Sequence, residues 1–215
     1  NGQDYSTTVD QNGNWTVDVD GSDLVADTEF DVVVSSSDAA GNTVDSIGTS
    51  THTVDTSATA GSVAVNAITS DDVINATESG ETIAVSGTAS GGDIATGDTV
   101  TMTINGQDYS TTVDQNGNWT VDVDGSDLAA DTEFEVVVSS SDAAGNTVDS
   151  TGTSTHTVDT SATAGTVAVN AITSDDVINA TESGETIAVS GTATGGDISA
   201  GDSVTMTING QDYST

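Results

Sequence analysis

Oxygen-bearing side chains crowd most densely in one loop of this sequence, residues 69–81, which lies between two alternating apolar segments. The same thirteen letters return at residues 173–185. The chain has no lysine or arginine to neutralise these carboxylates. Calcium binds six to eight hard oxygen ligands in flexible geometry, whereas magnesium demands a stricter octahedron. The two loops therefore predict calcium ligands at Asp71, Asp72, Asn75 and Glu78, and at Asp175, Asp176, Asn179 and Glu182.

A solvated acidic loop that binds nothing is the alternative interpretation of this pattern. The complete absence of basic side chains favours the metal, because carboxylates packed together would otherwise repel one another. A second acidic segment, Asp114 to Asn118, begins like an EF-hand loop. Its glycine falls at the fourth position and the closing glutamate is missing, so it indicates a plain turn.

The composition excludes several classes of function. The 215 residues include 35 acidic and no basic side chains, which gives a formal net charge of −35. Such a chain is not expected to bind nucleic acid or an anionic membrane surface. No apolar segment is long enough to span a bilayer, so direct membrane insertion is not expected either. Without cysteine, neither disulfides nor thiolate metal sites can form.

The chain is an internal repeat with an offset of 104 residues. Residues 1–111 and 105–215 differ at eight positions, none of which changes the charge. A period of this length fits a domain that folds alone better than a solenoid unit that leans on its neighbours. We expect residues 56–159 to form one complete repeat, residues 1–55 the second half of another, and residues 160–215 the first half of a third. The 215 residues are then expected to be a window on a longer array.

Short alternating runs rich in valine, isoleucine and threonine predict strands rather than disorder. The complete repeat contains seven of them, and Asn105-Gly106 between the third and fourth is a strong hairpin signal. Leu128 is expected to plug the loop after the fifth strand, and residues 148–158 to form the seventh. Seven such strands in about 100 residues predict an all-β chain of tandem immunoglobulin-like β-sandwich domains, arranged as a linear rod.

The up-and-down path of these strands predicts where the acidic residues lie. It brings the loop 69–81 and Asp159 to one end of the sandwich and the loops around Asp93 and Asp142 to the other. In a tandem array the two kinds of end face each other, so Asp159 in the linker joins a site closed by Asp197 or the counterpart of Asp142. The equivalent positions complete the predicted ligand set: Asp38, Asp55, Asp93 and Asp142. Calcium at these joints would stiffen a flexible linker of small residues.

Three stretches resemble a known family: residues 165–179, residues 190–197, and residues 119–146, which end in Ser-Ser-Asp-Ala-Ala-Gly-Asn. They are similar to the bacterial immunoglobulin-like extender repeats of giant calcium-dependent RTX adhesins, most of all those of ice-binding members. The resemblance implies β-sandwich beads repeated outside the cell at a bacterial surface, with calcium at the joints. It also implies that neighbouring repeats are the partners and that ligand binding resides in a distal domain.

Two other functions stay open at this stage. Outward threonines could present an array to ice or to a glycan, although exposed strands favour threonine in any case. The two half repeats could also complete each other between chains, head to tail, as a filament. Enzymatic activity is not expected: His52 and His156 are one repeated strand position, and no cysteine, lysine or arginine supports catalysis.

Overall fold

The computed structural model describes residues 2–215 of the chain. We divide them into an N-terminal segment (to residue 55), a central segment (56–159) and a C-terminal segment (160–215). The N-terminal segment contains α1 (Gly21–Ala26), β1 (Glu29–Ser37) and β2 (Thr43–Thr51). The central segment contains β3 (Ser62–Val65), β4 (Val73–Asn75), β5 (Thr82–Ser90), β6 (Thr99–Ile104), β7 (Gln107–Thr112), β8 (Asn118–Asp124), α2 (Gly125–Ala130), β9 (Glu133–Ser141), β10 (Thr147–Thr155) and β11 (Thr157–Asp159). The C-terminal segment contains β12 (Thr166–Val169), β13 (Gly191–Thr194), β14 (Thr205–Ile208) and β15 (Gln211–Ser214).

The central segment is a β-sandwich of two antiparallel sheets. One sheet has the strand order β10-β9-β6-β7 and the other β3-β5-β8. A two-stranded parallel pair, β11 with β4, lies beside them. The predicted all-β, immunoglobulin-like fold is confirmed, with two short helices added.

Alternation along each strand builds the core between the sheets. In β6, Val100, Met102 and Ile104 are buried while the intervening threonines are exposed. These residues pack with the buried side chains of the neighbouring strands and loops: Ile68, Ile74, Val85, Ala89, Val113, Trp119, Val123, Leu128, Phe134, Val136 and Val138. Since side chains of a strand alternate between its two faces, this single pattern fixes which face of each strand enters the core.

Gly87 in β5 makes room for the tryptophan of the neighbouring strand. A Cβ at Gly87 would lie 2.4 Å from Cζ2 of Trp119 and 2.0 Å from the carbonyl oxygen of Ala64. Gly87 and Trp119 are direct cross-strand partners in the β5–β8 register. Any larger residue at position 87 would therefore displace either the indole ring or the backbone of β3.

The predicted seventh strand is not continuous, and that prediction was wrong in its length. The strand breaks at His156, and Thr157–Asp159 leaves the four-stranded sheet to pair in parallel with β4, which the sequence pattern did not predict. The buried His156 ring sits at the break, 2.8 Å through Nε2 from the carbonyl oxygen of Leu128, edge-on to Phe134. Because a carbonyl only accepts, Nε2 is the protonated ring nitrogen.

Leu128 does plug the space after β8, as predicted, since its side chain is completely buried. It does so from a helix, α2, and not from an irregular loop. Tyr109 holds this helix from β7, because its hydroxyl donates to the carboxylate of Asp127 at 2.5 Å. Neither helix in residues 2–215 is long and apolar enough to cross a membrane.

Within residues 2–215, no strand pair joins one segment to another. The N-terminal segment has only the β1–β2 pair, and the C-terminal segment only the pairs β12–β13 and β14–β15. Their apolar residues are correspondingly uncovered: Trp15 is 47% exposed, against 3% for its counterpart Trp119.

Candidate metal centres at the two ends of the central segment

Hydrogen bonds show which loops share an end of the central segment. At the end where the chain leaves, Thr157 donates its N–H to the carbonyl oxygen of Asp72 (3.1 Å). At the end where the chain enters, Gly61 donates its N–H to the hydroxyl of Ser150 (2.9 Å). We call these the C-end and the N-end. β10 runs from the N-end, where it follows the turn of residues 142–146, to the C-end, and its nine residues correspond to roughly 30 Å.

At the C-end, two predicted ligands close the loop 69–81 from within. Asp72 has a left-handed backbone (φ 60°), and its Oδ1 accepts the N–H of Ile68 at 2.9 Å. Oδ1 of Asp71 accepts the Thr69 hydroxyl, also at 2.9 Å. One oxygen of each carboxylate therefore stabilises the loop itself.

Asn75 and Glu78 form a reciprocal pair in the same loop. Oε2 of Glu78 accepts the N–H of Asn75 at 3.0 Å, and Oδ1 of Asn75 accepts the N–H of Glu78 at 3.0 Å. This exchange resembles the capping box that begins a helix, and the chain makes one short 3-10 turn at Glu78–Gly80. The pair fixes the direction in which β4 enters that turn.

The parallel pairing of β11 with β4 brings the linker to this loop. Its register sets Asp159 directly beside Asn75. An open cavity of about 350 Å³ lies there, lined by Asn75, Ala76, Thr77, Asp159, Thr160, Ser161 and Ala162. Of the predicted ligands, Asn75 and Asp159 are thus brought together at the C-end, with the amide, carboxylate and hydroxyl oxygens of the linker around them.

At the N-end, Asp142 forms a closed turn with Asn146. Its Oδ1 accepts the N–H groups of Ala144 and Asn146, both at 2.9 Å, and its Oδ2 accepts the side-chain amide of Asn146 at 2.7 Å. This side-chain amide, followed by the backbone N–H groups, holds the pKa of Asp142 below its ordinary value of 3.8. The carboxylate is therefore ionised and fixed in place.

The Asn146 amide also reaches across to the preceding segment. Its Nδ2 lies 3.2 Å from the carbonyl oxygen of Asp55 and 3.4 Å from the Asp55 carboxylate, 91 positions away in sequence. Asp55 is the N-terminal counterpart of Asp159. The structure thus joins two predicted ligands, Asp55 and Asp142, through a residue that was not predicted.

Asp93 and Asp197, two further predicted ligands, each form two hydrogen bonds with a linker residue. Oδ2 of Asp93 accepts the N–H of Thr59 at 2.6 Å, and the Asp93 N–H donates back to the Thr59 carbonyl oxygen at 2.9 Å. Asp197 repeats this with Thr163, at 2.6 and 3.0 Å. These two residues therefore hold the linkers in place through paired hydrogen bonds.

The remaining predicted ligands repeat the same local bonds in the incomplete segments. Asp175 accepts from Thr173, Asp176 accepts from Ile172, and Asn179 and Glu182 exchange bonds at 3.0 Å. Asp38 forms with Asn42 the turn that Asp142 forms with Asn146, and its pKa is lowered by the same amide. Since these segments lack the full sandwich, the loop conformations are local properties of the sequence.

No group of three or more carboxylate or imidazole side chains within residues 2–215 is close enough to hold a metal ion. The donor chemistry nonetheless fits calcium, because both ends offer carboxylate, amide, carbonyl and hydroxyl oxygens and no nitrogen or sulfur ligands. Asn146 could have been found from the sequence by its spacing. Asp-Ala-Ala-Gly-Asn occurs at residues 38–42 and 142–146, and Gly145 has the left-handed φ (91°) that such a turn requires.

Comparison with solved structures gives matches over the whole chain. The chain is 75% identical to a Ca²⁺-stabilised adhesin with which an Antarctic bacterium reaches out and binds ice, with a TM-score of 0.94 over 100% of this chain and 52% of that one. It is 67% identical to a 1.5-MDa bacterial ice-binding adhesin studied for host cell surface retention, with a TM-score of 0.70 over 72% of this chain and 49% of that one. A scan against protein-family models and a search of curated proteins gave no match.

A third match is a bacterial immunoglobulin-like domain of the ice-binding adhesin of Marinomonas primoryensis, 76% identical, with a TM-score of 0.47 over 47% of this chain and 100% of that one. The β-sandwich and the first two similarities define the class as an immunoglobulin-like module of a bacterial adhesin. The chain belongs to the immunoglobulin-like extender repeats of large bacterial adhesins. It spans about half the length of the first two chains that it matches.

Proposed function

We propose that the chain is part of the extender of an extracellular adhesin on a bacterial surface, in which calcium stiffens the joints between repeats. Residues 56–159 form one complete repeat, and residues 1–55 and 160–215 are halves of its neighbours. A self-contained sandwich in the central segment supports this division. The ice binding of the relatives then belongs to another part of the adhesin, and the role of this chain is mechanical and not enzymatic.

The observation that carries the proposal is the bridge from Asn146 to Asp55. This bridge joins the last residue of the N-terminal segment to a turn of the central segment. The same amide of Asn146 also donates to the carboxylate of Asp142. Asp55 and Asp142 repel each other, and the chain has no basic side chain to reduce that repulsion. A divalent cation would supply the missing positive charge, and an array of like-charged repeats would then become a stiffer rod.

The residues that would hold calcium differ between the two ends. Asp55 and Asp142 would bind it at the N-end, with Asn146 orienting both. Asp159 would bind it at the C-end, with further oxygens from the linker, while Asn75 beside it would hold the loop, because its Oδ1 already accepts the N–H groups of Thr77 and Glu78. Asp93 and Asp197 would act indirectly. The carboxylate of each holds a linker in position by accepting a hydrogen bond of 2.6 Å from a backbone N–H of that linker. The loop carboxylates Asp71, Asp72 and Glu78 retain a second oxygen each for a ligand role, as do Asp175, Asp176 and Glu182 in the next copy, where Asn179 corresponds to Asn75.

Small-angle scattering of the chain with calcium and with a chelator tests the proposal. We expect the maximum dimension to be constant and sharply defined with calcium, and the distance distribution to broaden when calcium is removed. An Asp142→Asn variant should lose much of this response, because it removes a proposed ligand while leaving an oxygen for the turn. The measurements should be made at protein concentrations at which sedimentation shows the chain to be monomeric.

Asp38→Asn is the matched control. It makes the same change of charge in the same Asp-Ala-Ala-Gly-Asn turn, but between β1 and β2 of the N-terminal segment, where no linker acid of residues 2–215 bonds to the turn. Its response to calcium should equal that of the unmodified chain. Identical scattering with and without calcium, or equal losses in the two variants, would contradict the proposed joint.

The Asn146→Ala substitution tests the orienting amide alone, because it removes the amide and leaves the carboxylates of Asp55 and Asp142 unchanged. Residues that orient metal ligands typically contribute a factor of about 10–100 to metal affinity. Calcium titration by calorimetry should therefore show that loss for Asn146→Ala and none for Asn42→Ala, whose amide donates to Asp38 and, within residues 2–215, reaches no linker residue. Equal affinities in both variants would show that Asn146 has no part in calcium binding.

A further inference from the structure

The hairpin between β6 and β7 turns at Asn105-Gly106, two residues whose chemistry can modify the chain itself. Both are exposed, and both have a positive φ, 51° and 77°. A Cβ built on Gly106 would meet no atom within 4 Å, so the turn is open to solvent on this side. Asparagine is a thermally labile residue. It is most labile before glycine, because no side chain hinders the approach of the glycine nitrogen to the amide carbon.

The reaction is deamidation, and it balances with water as the co-reactant. The backbone nitrogen of Gly106 forms a bond to Cγ of Asn105 and gives up its proton, while the bond between Cγ and Nδ2 breaks. Nδ2 takes up that proton and leaves as ammonia. Water then opens the succinimide ring at either of its carbonyl carbons, which leaves aspartate or isoaspartate at position 105 and releases a proton.

The attacking nitrogen is free at this turn and held at the other Asn-Gly turn of the central segment. Within residues 2–215, the N–H of Gly106 donates no hydrogen bond. In the pair Asn116-Gly117, by contrast, the N–H of Gly117 donates to the carbonyl oxygen of Asp114 at 3.1 Å. Attack by Gly117 must first break this bond, whereas attack by Gly106 needs only a rotation of the asparagine.

Two carboxylates of helix α2 and the residue after it restrain that rotation. Nδ2 of Asn105 donates to Oδ1 of Asp127 at 3.1 Å, and the N–H of Asn105 donates to Oδ2 of Asp131 at 2.9 Å. The other oxygen of Asp127 accepts the hydroxyl of Tyr109 at 2.5 Å, so this acceptor is itself fixed. The reaction requires Cγ to turn toward the Gly106 nitrogen, and the two bonds of Asn105 oppose that movement.

We propose that Asn105 is a latent self-modification site, kept in its amide form by its hydrogen bonds to Asp127 and Asp131. When the hairpin separates from α2, the Gly106 nitrogen attacks and the change is irreversible. The product has a carboxylate beside that of Asp127, and the chain has no basic side chain to reduce the repulsion. The hairpin then loses its contact with α2, the helix that carries the buried Leu128. The modification therefore records past opening of this end of the sandwich.

Mass spectrometry of the aged chain tests the proposal. Cleavage after glutamate gives residues 82–133 as one peptide that contains both Asn105 and Asn116, while the identical turn at residues 209–210 falls in another peptide. Aspartate and isoaspartate at the two positions are measured over time, in the native chain and in the chain unfolded by guanidinium chloride. We expect Asn105 to react several-fold more slowly in the native chain. Equal rates at Asn105 in the two states would overturn the proposal.

Removal of the acceptor tests the role of Asp127. Asp127→Ala should raise the native rate at Asn105 roughly two- to tenfold, the factor that corresponds to one hydrogen bond, and leave the rate at Asn116 unchanged. Asp108→Ala is the matched control, because it removes a carboxylate of the same hairpin that accepts the hydroxyl of Thr103 and not the amide of Asn105. It should change neither rate. An unchanged rate at Asn105 in the Asp127 variant, or an equal rise at both asparagines, would contradict the proposed restraint.

Two further variants keep the proposal testable if Asp127→Ala fails to fold. Asp131→Ala removes the second restraint and should also raise the rate at Asn105 alone. Asn105→Asp makes the product, and an NMR titration should find the pKa of Asp127 higher in this variant, since the Asn105 amide that helps to lower it is replaced by a like charge. Asn116→Asp should leave that pKa unchanged. The same Asp127 pKa in all three proteins would refute the predicted effect of the modification.

Discussion

Replacing Leu128 with alanine tests how far the complete sandwich and the incomplete segments differ in stability. Leu128 is 0% exposed and packs in the central core, whereas its counterpart Leu24 in the N-terminal segment is only half-buried. Truncation of a fully buried leucine removes its transfer free energy and leaves a cavity, at a cost of about 2–5 kcal/mol. The same chemical change at Leu24 has no closed core to disrupt, so it should cost less than about 1 kcal/mol.

The size of the expected loss is large for a domain of this length. A free-energy change of 1 kcal/mol shifts the Tm of a domain of 60–100 residues by roughly 4–8 °C. Leu128→Ala should therefore lower the main thermal transition by about 8 °C or more, and Leu24→Ala should leave it within a few degrees. Differential scanning calorimetry at low protein concentration measures the Tm of both variants.

Tryptophan fluorescence supplies an independent measurement. The chain has two tryptophans, of which Trp119 is buried and Trp15 is about half exposed. In a Trp15→Phe background, urea unfolding monitored by Trp119 reports the central segment alone. Equal losses of stability from the leucine substitutions at positions 128 and 24, or a loss below about 1 kcal/mol for position 128, would refute the reasoning.

Two further substitutions test specific contacts. Gly87→Ala should destabilise the central segment strongly, because the new methyl group meets Trp119 and the Ala64 carbonyl oxygen, whereas Gly80→Ala meets no atom within 4 Å and should change the urea midpoint little. Comparable midpoints for the two variants would show that β3 and β5 move apart freely. Tyr109→Phe should raise the pKa of Asp127 toward its ordinary value of 3.8, because the hydroxyl of Tyr109 is the main cause of its lowering. A depressed folded-state pKa stabilises the fold above 3.8 and loses that effect as the pH falls through the lowered pKa, so the stability difference between the variants should shrink in acid. An NMR titration that finds the same Asp127 pKa in both proteins would contradict this.

The local features of the fold could be predicted from the sequence because they depend on neighbouring residues. Alternation of apolar and threonine residues predicted β6 and β9, and Asn105-Gly106 predicted the turn between β6 and β7. Asn105 and Gly106 both have the positive φ that such a hairpin needs. The acidic loops fold alike in the complete and the incomplete segments, which shows that their hydrogen bonds need no tertiary support.

The parts that were missed depend on contacts between distant residues. At the break, the ring of His156 bonds to Leu128, 28 positions away, and β11 then pairs with β4, which lies much earlier in the chain. Short segments such as Val73–Asn75 carry too few residues for a periodic pattern, so only their partner reveals them.

The sequence by itself determined the repeat, the all-β class, the surplus of negative charge and the oxygen-rich loops, because each of these is a property of composition or of short-range spacing. Only the tertiary structure decided which of the predicted ligands come close together. It placed Asp55 beside Asp142 through Asn146, and Asp159 beside Asn75, while it turned Asp93 toward the linker at Thr59. The physical reason is that ligand groups converge through the path of the chain in space, and residues 91 positions apart have no pattern along the sequence that records it.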